Sequence, residues 1–319
     1  MSPSPFFRSL VIAVTLAAHT VAAGAQRPAQ ARRGLGDRSA DRSAIVVAGL
    51  RRTFVVRTPA AAPAPGTKRP LVVVLHGGGG NALNAEQMSG FTALVEREGI
   101  IVVYAEGTGR RATRLLTWNA RHCCGPAMER TVDDVGFLNA MLDTLSARYP
   151  IDPRRVYFTG MSNGAMMTHQ AGIALSHRIA AIAPVVGTLF GDEPLPRNPV
   201  PAIIFNGMKD RSVPYEGGLS GGAGRRSWDG TPARPAAEQG RFWARANGCD
   251  ATPVTETRGT VVHTRYRCPT GREVELYALT DGGHAWPGGR AGSRRGDQPP
   301  QGLIATEVMW AFFKAHARN

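Results

Sequence analysis

Val156-Tyr157-Phe158-Thr159-Gly160-Met161-Ser162-Asn163-Gly164 runs from an apolar strand-like triplet into a serine flanked by glycines, and a helical pattern follows over 163–176. The pentapeptide Gly160 to Gly164 is a G-x-S-x-G sequence between a strand and a helix. A sharp strand-to-helix turn needs small residues two positions either side of its apex, because larger side chains would strike the neighbouring strand and helix. Such a turn lifts the serine oxygen above the end of the sheet. The helix start behind it presents free N–H groups and a positive dipole end to any developing negative charge.

Working outward, apolar runs of strand length appear at 71–75, 100–104, 156–158, 202–205 and 274–277. Continuous runs of this kind suit strands buried on both faces of a parallel sheet. Helical patterns fall between them at 86–98, 132–148 and 163–176, with a last one at 303–315. Strands alternating with helices predict an α/β fold, a mostly parallel, doubly wound sheet flanked by helices. Residues 45–47 and 52–57, with Gly49 between them, read as a hairpin ahead of it.

A serine hydroxyl is a weak nucleophile at neutral pH and needs an imidazole base oriented by a carboxylate. In this kind of fold the order is Ser, then Asp or Glu, then His. The histidines after the serine are His169, His177, His263, His284 and His316. His169 and His177 lie on or at the end of the serine's own helix, His263 in an expected strand between Cys249 and Cys268, and His316 in the last helix. His284 stands in the glycine-flanked loop Asp281 to Gly289, directly after a strand, where a positioned base belongs. For the acid, Asp210 follows the strand at 202–205, with Asp281, Asp229 and Glu216 as rivals. Asp281 is very close to His284, while Asp229 and Glu216 lie in an irregular stretch. Asp133 and Asp134 precede the serine and are expected to cap a helix or brace nearby loops.

The N–H groups for an oxyanion are expected from Asn163, next to the serine, and from the loop His76-Gly77-Gly78-Gly79-Gly80-Asn81. As a phosphate cradle that loop fails, since no Gly-Lys-Ser/Thr follows it. His76 is expected to buttress the loop. Trp118 and Trp286 are candidates for an aromatic substrate wall, and each equally reads as core packing.

The N-terminus carries Arg8, an apolar stretch over 10–23 and the small-residue signal Ala23-Gly24-Ala25. This predicts a signal peptide over 1–25, a disordered leader over 26–43 and a single α/β domain over 44–319. The protein is therefore expected outside the cytoplasm, secreted or periplasmic, with no stable membrane insertion. Four cysteines suit that setting. Cys249 and Cys268 flank a short strand-rich stretch and are expected to pair. Adjacent Cys123 and Cys124 either form a vicinal disulfide or remain thiols. No second closely spaced Cys/His pair exists to complete a zinc site, and no metal or cofactor is implied. The net charge of +14 is almost all arginine, since Lys68, Lys209 and Lys314 are the only lysines. The arginines are scattered, without a basic helix or basic-aromatic alternation, so they read as genome composition rather than a nucleic-acid surface. The irregular Gly/Arg/Pro-rich stretch 217–235 reads as an insertion near the rim of the site.

Together these residues resemble a known family. The matching segments are 75–81, Thr117-Trp118-Asn119 through Cys123-Cys124-Gly125, 132–137, 152–157, 160–165, 210–215, Asn247-Gly248-Cys249 and 282–288. The chain resembles the secreted polyhydroxybutyrate depolymerase-like esterases, relatives of feruloyl and acetylxylan esterases. The resemblance implies an α/β-hydrolase fold, a triad of Ser162, Asp210 and His284, and Gly78 beside Asn163 in the oxyanion hole. It implies an ester substrate, either a polyester oligomer or a plant-wall ester; the enzyme is expected to be a monomer. No separate substrate-binding module is visible, which weighs against attack on solid polyester. Two other readings remain: a peptidase or other hydrolase of the same fold, and an exported surface-binding protein without catalysis.

Overall fold

The computed structural model describes residues 1, 42–110, 113–221, 228–292 and 296–318. The expected signal peptide, apart from Met1, and the leader up to residue 41 lie outside the described residues. Every element belongs to the unit Ser39–Asn319.

The strands are β1 (Arg42–Val47), β2 (Leu50–Arg57), β3 (Arg69–Leu75), β4 (Ile101–Ala105) and β5 (Ile151–Met161). They continue with β6 (Ala181–Val185), β7 (Ala202–Gly207), β8 (Val254–Arg258), β9 (Val261–Tyr266) and β10 (Val274–Leu279). Among the described residues they form one ten-stranded sheet in the order β1-β2-β4-β3-β5-β6-β7-β10-β9-β8. The six central strands from β4 to β10 pair in parallel, and antiparallel ribbons close both sides. β1 begins two residues inside the stretch expected as leader, because its hairpin partner β2 pairs Val55 with Arg42 and Phe54 with Ser43.

The helices are α1 (Ala82–Ser89), α2 (Thr92–Glu98), α3 (Gly125–Glu129), α4 (Asp134–Arg148), α5 (Asn163–Ala174), α6 (Ala236–Asn247) and α7 (Ala305–Ala315). The single helix expected over 86–98 is two. α1 starts four residues upstream of that pattern, capped by Asn81, which accepts the Asn84 N–H at 3.0 Å. Gly90 then stops α1 in the left-handed conformation at φ 70°, and α2 starts afresh.

β3 shows why the central strands read as unbroken apolar runs. Leu71, Val73 and Leu75 enter one core with Phe137 of α4, Met167 of α5 and Trp243 of α6. Val72 and Val74 enter the other with Ala85 of α1, Leu94 of α2 and Phe313 of α7. Each face of the sheet is covered by helices, so every position of the strand from Pro70 to Leu75 is buried. Cys249, just past α6, is bonded to Cys268, just past β9, and Cys123 is bonded to Cys124. Among the described residues no helix is long and apolar enough to cross a membrane.

Candidate active site

The site lies beyond the C-terminal ends of the parallel strands, where loops from several elements converge. Ser162 follows β5 directly and starts α5. Its backbone is held at φ 58° and ψ −123°, a conformation that costs about 1–3 kcal/mol and persists only where its surroundings enforce it. Two glycines make the turn possible. A Cβ on Gly160 would lie 2.9 Å from the Leu75 Cβ and 2.5 Å from the Gly164 oxygen, and one on Gly164 would strike the Leu75 and His76 carbonyls. The Ser162 N–H donates to the Val185 carbonyl at the end of β6, at 2.9 Å, which anchors the turn to the sheet.

From this apex a relay of side chains runs outward. The Ser162 Oγ is 2.9 Å from His284 Nε2. His284 Nδ1 is 2.7 Å from Asp210 Oδ2. The second oxygen, Asp210 Oδ1, accepts the N–H groups of Ser212 at 2.8 Å and Val213 at 2.9 Å. Asp210 is 7% exposed, so its charge is shielded from water and directed at the imidazole. The rivals stand elsewhere: Asp229 is bonded to His122, while Asp281 and Glu216 are exposed. Of the other histidines, His169 is buried between Gln239 and Trp243, and His263 pairs with Glu275. His316 pairs with Glu273.

Sequence reasoning missed Asp297. Its carboxylate accepts the His284 backbone N–H at 2.6 Å and so holds the loop that carries the imidazole. It stands in an Arg/Gly-rich loop with no periodicity, and a contact to a backbone N–H leaves no trace in the sequence.

The glycine loop after β3 faces Ser162. Gly79 donates to the Leu116 carbonyl at 2.8 Å and Gly80 to the Gly77 carbonyl at 3.0 Å. Among the described residues the N–H groups of Gly78 and Asn163 donate to no protein acceptor. The loop rests on His76, whose Nδ1 donates to the Gly77 carbonyl at 2.8 Å and whose Nε2 accepts the Gly107 N–H at 3.0 Å. Burial pushes the His76 pKa down to about 4, so the ring stays neutral and one nitrogen remains an acceptor. The Asn163 side chain clamps Trp118, accepting its N–H at 2.7 Å and donating to its carbonyl at 3.0 Å.

The proposed wall of Trp118 and Trp286 needs correction. Both are fully buried at 0% exposure. The Trp118 indole N–H donates to the His76 carbonyl at 3.0 Å, and that of Trp286 to Thr306 Oγ1 at 3.0 Å. They hold the site from beneath, and among the described residues neither lines the two cavities that open on Ser162. Asp133 caps α4 by accepting the Gly136 N–H, and Asp134 braces a loop by accepting the Asn119 N–H at 2.7 Å. Burial pushes the Asp134 pKa up against the pull of Arg52, which it meets at 2.5 Å.

Two cavities open on Ser162. One, of 600 Å³, is lined by the glycine loop, Met88, Arg114 and Met161. The other, of 680 Å³, is lined by Pro126, Asn163, Val213, Ser220 and Trp228. Leu115, Gly78, Gly79 and His284 border both. Ser220 and Trp228 come from the stretch 217–235, so that insertion does form part of the rim; its residues 222–227 lie outside the described residues.

A half-buried serine on a strand-to-helix turn, ending a parallel sheet with helices on both faces, is the architecture of an α/β-hydrolase. The acetyl xylan esterase of Aspergillus awamori has the same fold, with a TM-score of 0.55 at 16% identity over 82% of this chain and 94% of that one. The family model described as "Esterase PHB depolymerase" matches residues 54–233, more than half of the chain. The putative esterase NocK of Nocardia uniformis subsp. tsuyamanensis is 30% identical over 272 residues, 81% of this chain and 77% of that protein. Feruloyl esterase B of Piromyces equi is 31% identical over 230 residues, 70% of this chain and 41% of that protein. The chain belongs to the esterase PHB depolymerase family, and it is a carboxylic-ester hydrolase.

Proposed function

We propose that the protein is an exported serine esterase in which Ser162 is the nucleophile, His284 the general base and acid, and Asp210 the group that orients and charges the imidazole. The observation that carries this reading is the unbroken relay of 2.9 Å and 2.7 Å from Ser162 through His284 to Asp210. With Asp210 accepting the Nδ1 proton, the lone pair of Nε2 faces Ser162 and can take its proton as the oxygen attacks the ester carbonyl. The unused N–H groups of Gly78 and Asn163 are suited to receive the oxyanion. Protonated His284 then hands its proton to the departing alcohol. Water, activated by the same imidazole, attacks the acyl-enzyme, the second tetrahedral intermediate collapses, and the acid leaves with Ser162 restored.

Two large cavities beside one serine favour esters with substantial groups on both sides of the scissile bond. Within the family this points to hydroxybutyrate oligomers or feruloyl esters ahead of acetyl esters. Export is read from the charged and apolar start of the chain and its small-residue cleavage signal, and the protein is taken to act as a monomer without a cofactor.

A fluorophosphonate probe should label the wild-type protein at Ser162, and Ser162→Ala should lose both labelling and ester turnover. Labelling at another serine would overturn the assignment. Product release from hydroxybutyrate oligomers, methyl ferulate and acetylated xylan, measured side by side, ranks the substrates. An exported product whose first residue is not near Gln26 would count against the cleavage site.

A further inference from the structure

The aromatic surface that the larger cavity presents to substrate comes from a residue outside every motif. Trp228 stands in the insertion, is partly exposed, and lines the 680 Å³ cavity together with Ser162, Asn163 and His284. Leu115, Pro126 and Val213 give that cavity further apolar walls. An indole on such a wall offers a flat, polarisable face to a planar group.

Trp228 is not left loose on its loop. Its backbone forms an antiparallel bridge with Cys123, and the next residue's N–H donates to the His122 carbonyl at 3.1 Å. Phe190 meets the Trp228 ring edge-on at 5.4 Å and the His122 ring at 5.1 Å. His122 ties the layers together, with Nδ1 2.6 Å from Asp229 Oδ2 and Nε2 3.1 Å from Asp192 Oδ2. Arg121 grips the same Asp192 carboxylate at 2.5 Å. This is an elaborate clamp for a surface loop, and the first residue that it fixes is Trp228. None of these groups takes part in the Ser162 relay.

We propose that Trp228 is a specificity-determining residue that stacks on the aromatic ring of an aryl ester in this cavity, and that His122 is a positioning residue acting through it. The inference rests on the serine esterase reading, since it presumes that the ring lies beside an ester held at Ser162. A well-held aromatic face should raise the preference for a ring-bearing ester over a small aliphatic one about tenfold, the scale of one good aromatic contact plus its buried area.

The test uses the full-length exported protein with three substrates: methyl ferulate, with its ring on the acyl side, phenyl acetate, with its ring on the alcohol side, and ethyl acetate. In Trp228→Ala, the ratio of kcat/KM for at least one aryl ester to that for ethyl acetate should fall about tenfold, mostly through KM. Trp228→Phe should recover most of the loss. His122→Gln should move the same ratio in the same direction by about threefold, again through KM, as expected for losing one partner of a hydrogen-bonded clamp. Both ratios staying within twofold of wild type in Trp228→Ala would overturn the proposal. So would an equal loss on all three substrates together with a lowered thermal midpoint, which would make Trp228 a structural residue only. Fluorophosphonate labelling separates the two failures. A labelled Ser162 with unchanged ratios sinks this inference alone, and an unlabelled wild-type Ser162 sinks the esterase reading.

Discussion

Asp210→Asn puts the relay to its sharpest test, because the structure dictates how the new amide must sit. The Asp210 Oδ1 accepts two backbone N–H groups, from Ser212 and Val213, while Oδ2 faces His284 Nδ1. An asparagine keeps its single carbonyl oxygen against those two donors, since the reverse orientation sets an NH2 against two N–H groups. Its NH2 must then point at Nδ1. Nδ1 becomes the acceptor, the ring proton moves to Nε2, and Nε2 can no longer take the proton of Ser162 2.9 Å away. The variant is nearly isosteric, so folding should survive while the tautomer is wrong. The expected loss in kcat is about 10⁴-fold, or about 5 kcal/mol of barrier, the size seen where a triad aspartate is replaced in this way. The assay is kcat on p-nitrophenyl butyrate, with circular dichroism and a thermal midpoint to show that the variant is folded. A folded Asp210→Asn enzyme retaining kcat within tenfold of wild type would refute the role given to this carboxylate.

Further predictions follow from the packing around the site. Gly160→Ala should destabilise the protein by about 3 kcal/mol and remove most activity, because its Cβ would press on Leu75 and on the Gly164 carbonyl, neither of which can retreat; unchanged melting and turnover would contradict the account of the turn. Asp134→Ala should cost about 3–5 kcal/mol in denaturant unfolding, since it strands Arg52, 3% exposed and stacked on Phe137 at 4.0 Å, as a buried uncompensated charge. Replacing both partners with apolar residues should restore much of that loss. The hydrogen bond from Arg121 pulls the Asp192 pKa from 3.8 down to about 2 in the folded protein. Its contribution is therefore present above pH 3.8 and disappears as the pH falls toward 2. Thermal midpoints of wild type and Asp192→Asn should accordingly converge over that interval and stay apart above it; parallel curves would mean that the clamp adds nothing through this charge.

What could be read from the sequence, and what could not, divides along physical lines. Ser162, Asp210 and His284 could be placed because each follows an apolar strand and sits among residues whose size or flexibility a turn demands. That is local information. The central strands were visible for the same reason, since burial on both faces leaves only apolar side chains. β6 escaped notice because Ala181-Ile182-Ala183-Pro184-Val185 is short and alanine-rich and carries a proline. β8 and β9 were legible only as a strand-rich stretch between Cys249 and Cys268, without bounds, because they form the solvated edge of the sheet, and Val254–Arg258 is largely exposed with polar residues on both faces. The break at Gly90 was hidden by apolar positions that keep helical spacing across it.

The tryptophans mark the limit of such reading most clearly. Trp118 and Trp286 stand in motif-rich segments, Trp228 in an irregular one, and residue type alone favours the first two as substrate contacts. Exposure reverses that order, and exposure is set by partners distant in sequence. Trp118 is enclosed because Asn163, 45 residues later, clamps both its backbone polar groups. Trp286 is enclosed because Thr306 accepts its indole N–H. Trp228 is presented because His122, through Asp229 107 residues away in sequence, pins the loop beside the cavity. Motif residues here secure the geometry of the serine and its imidazole. On the role proposed for Trp228, the choice of ester falls instead to an irregular insertion whose position depends on charged groups gathered from three separate segments of the chain. On that reading, changes in the insertion retune selectivity while the relay and the glycine loop keep their geometry, since among the described residues no side chain of the His122, Asp192 and Asp229 clamp is hydrogen-bonded to either.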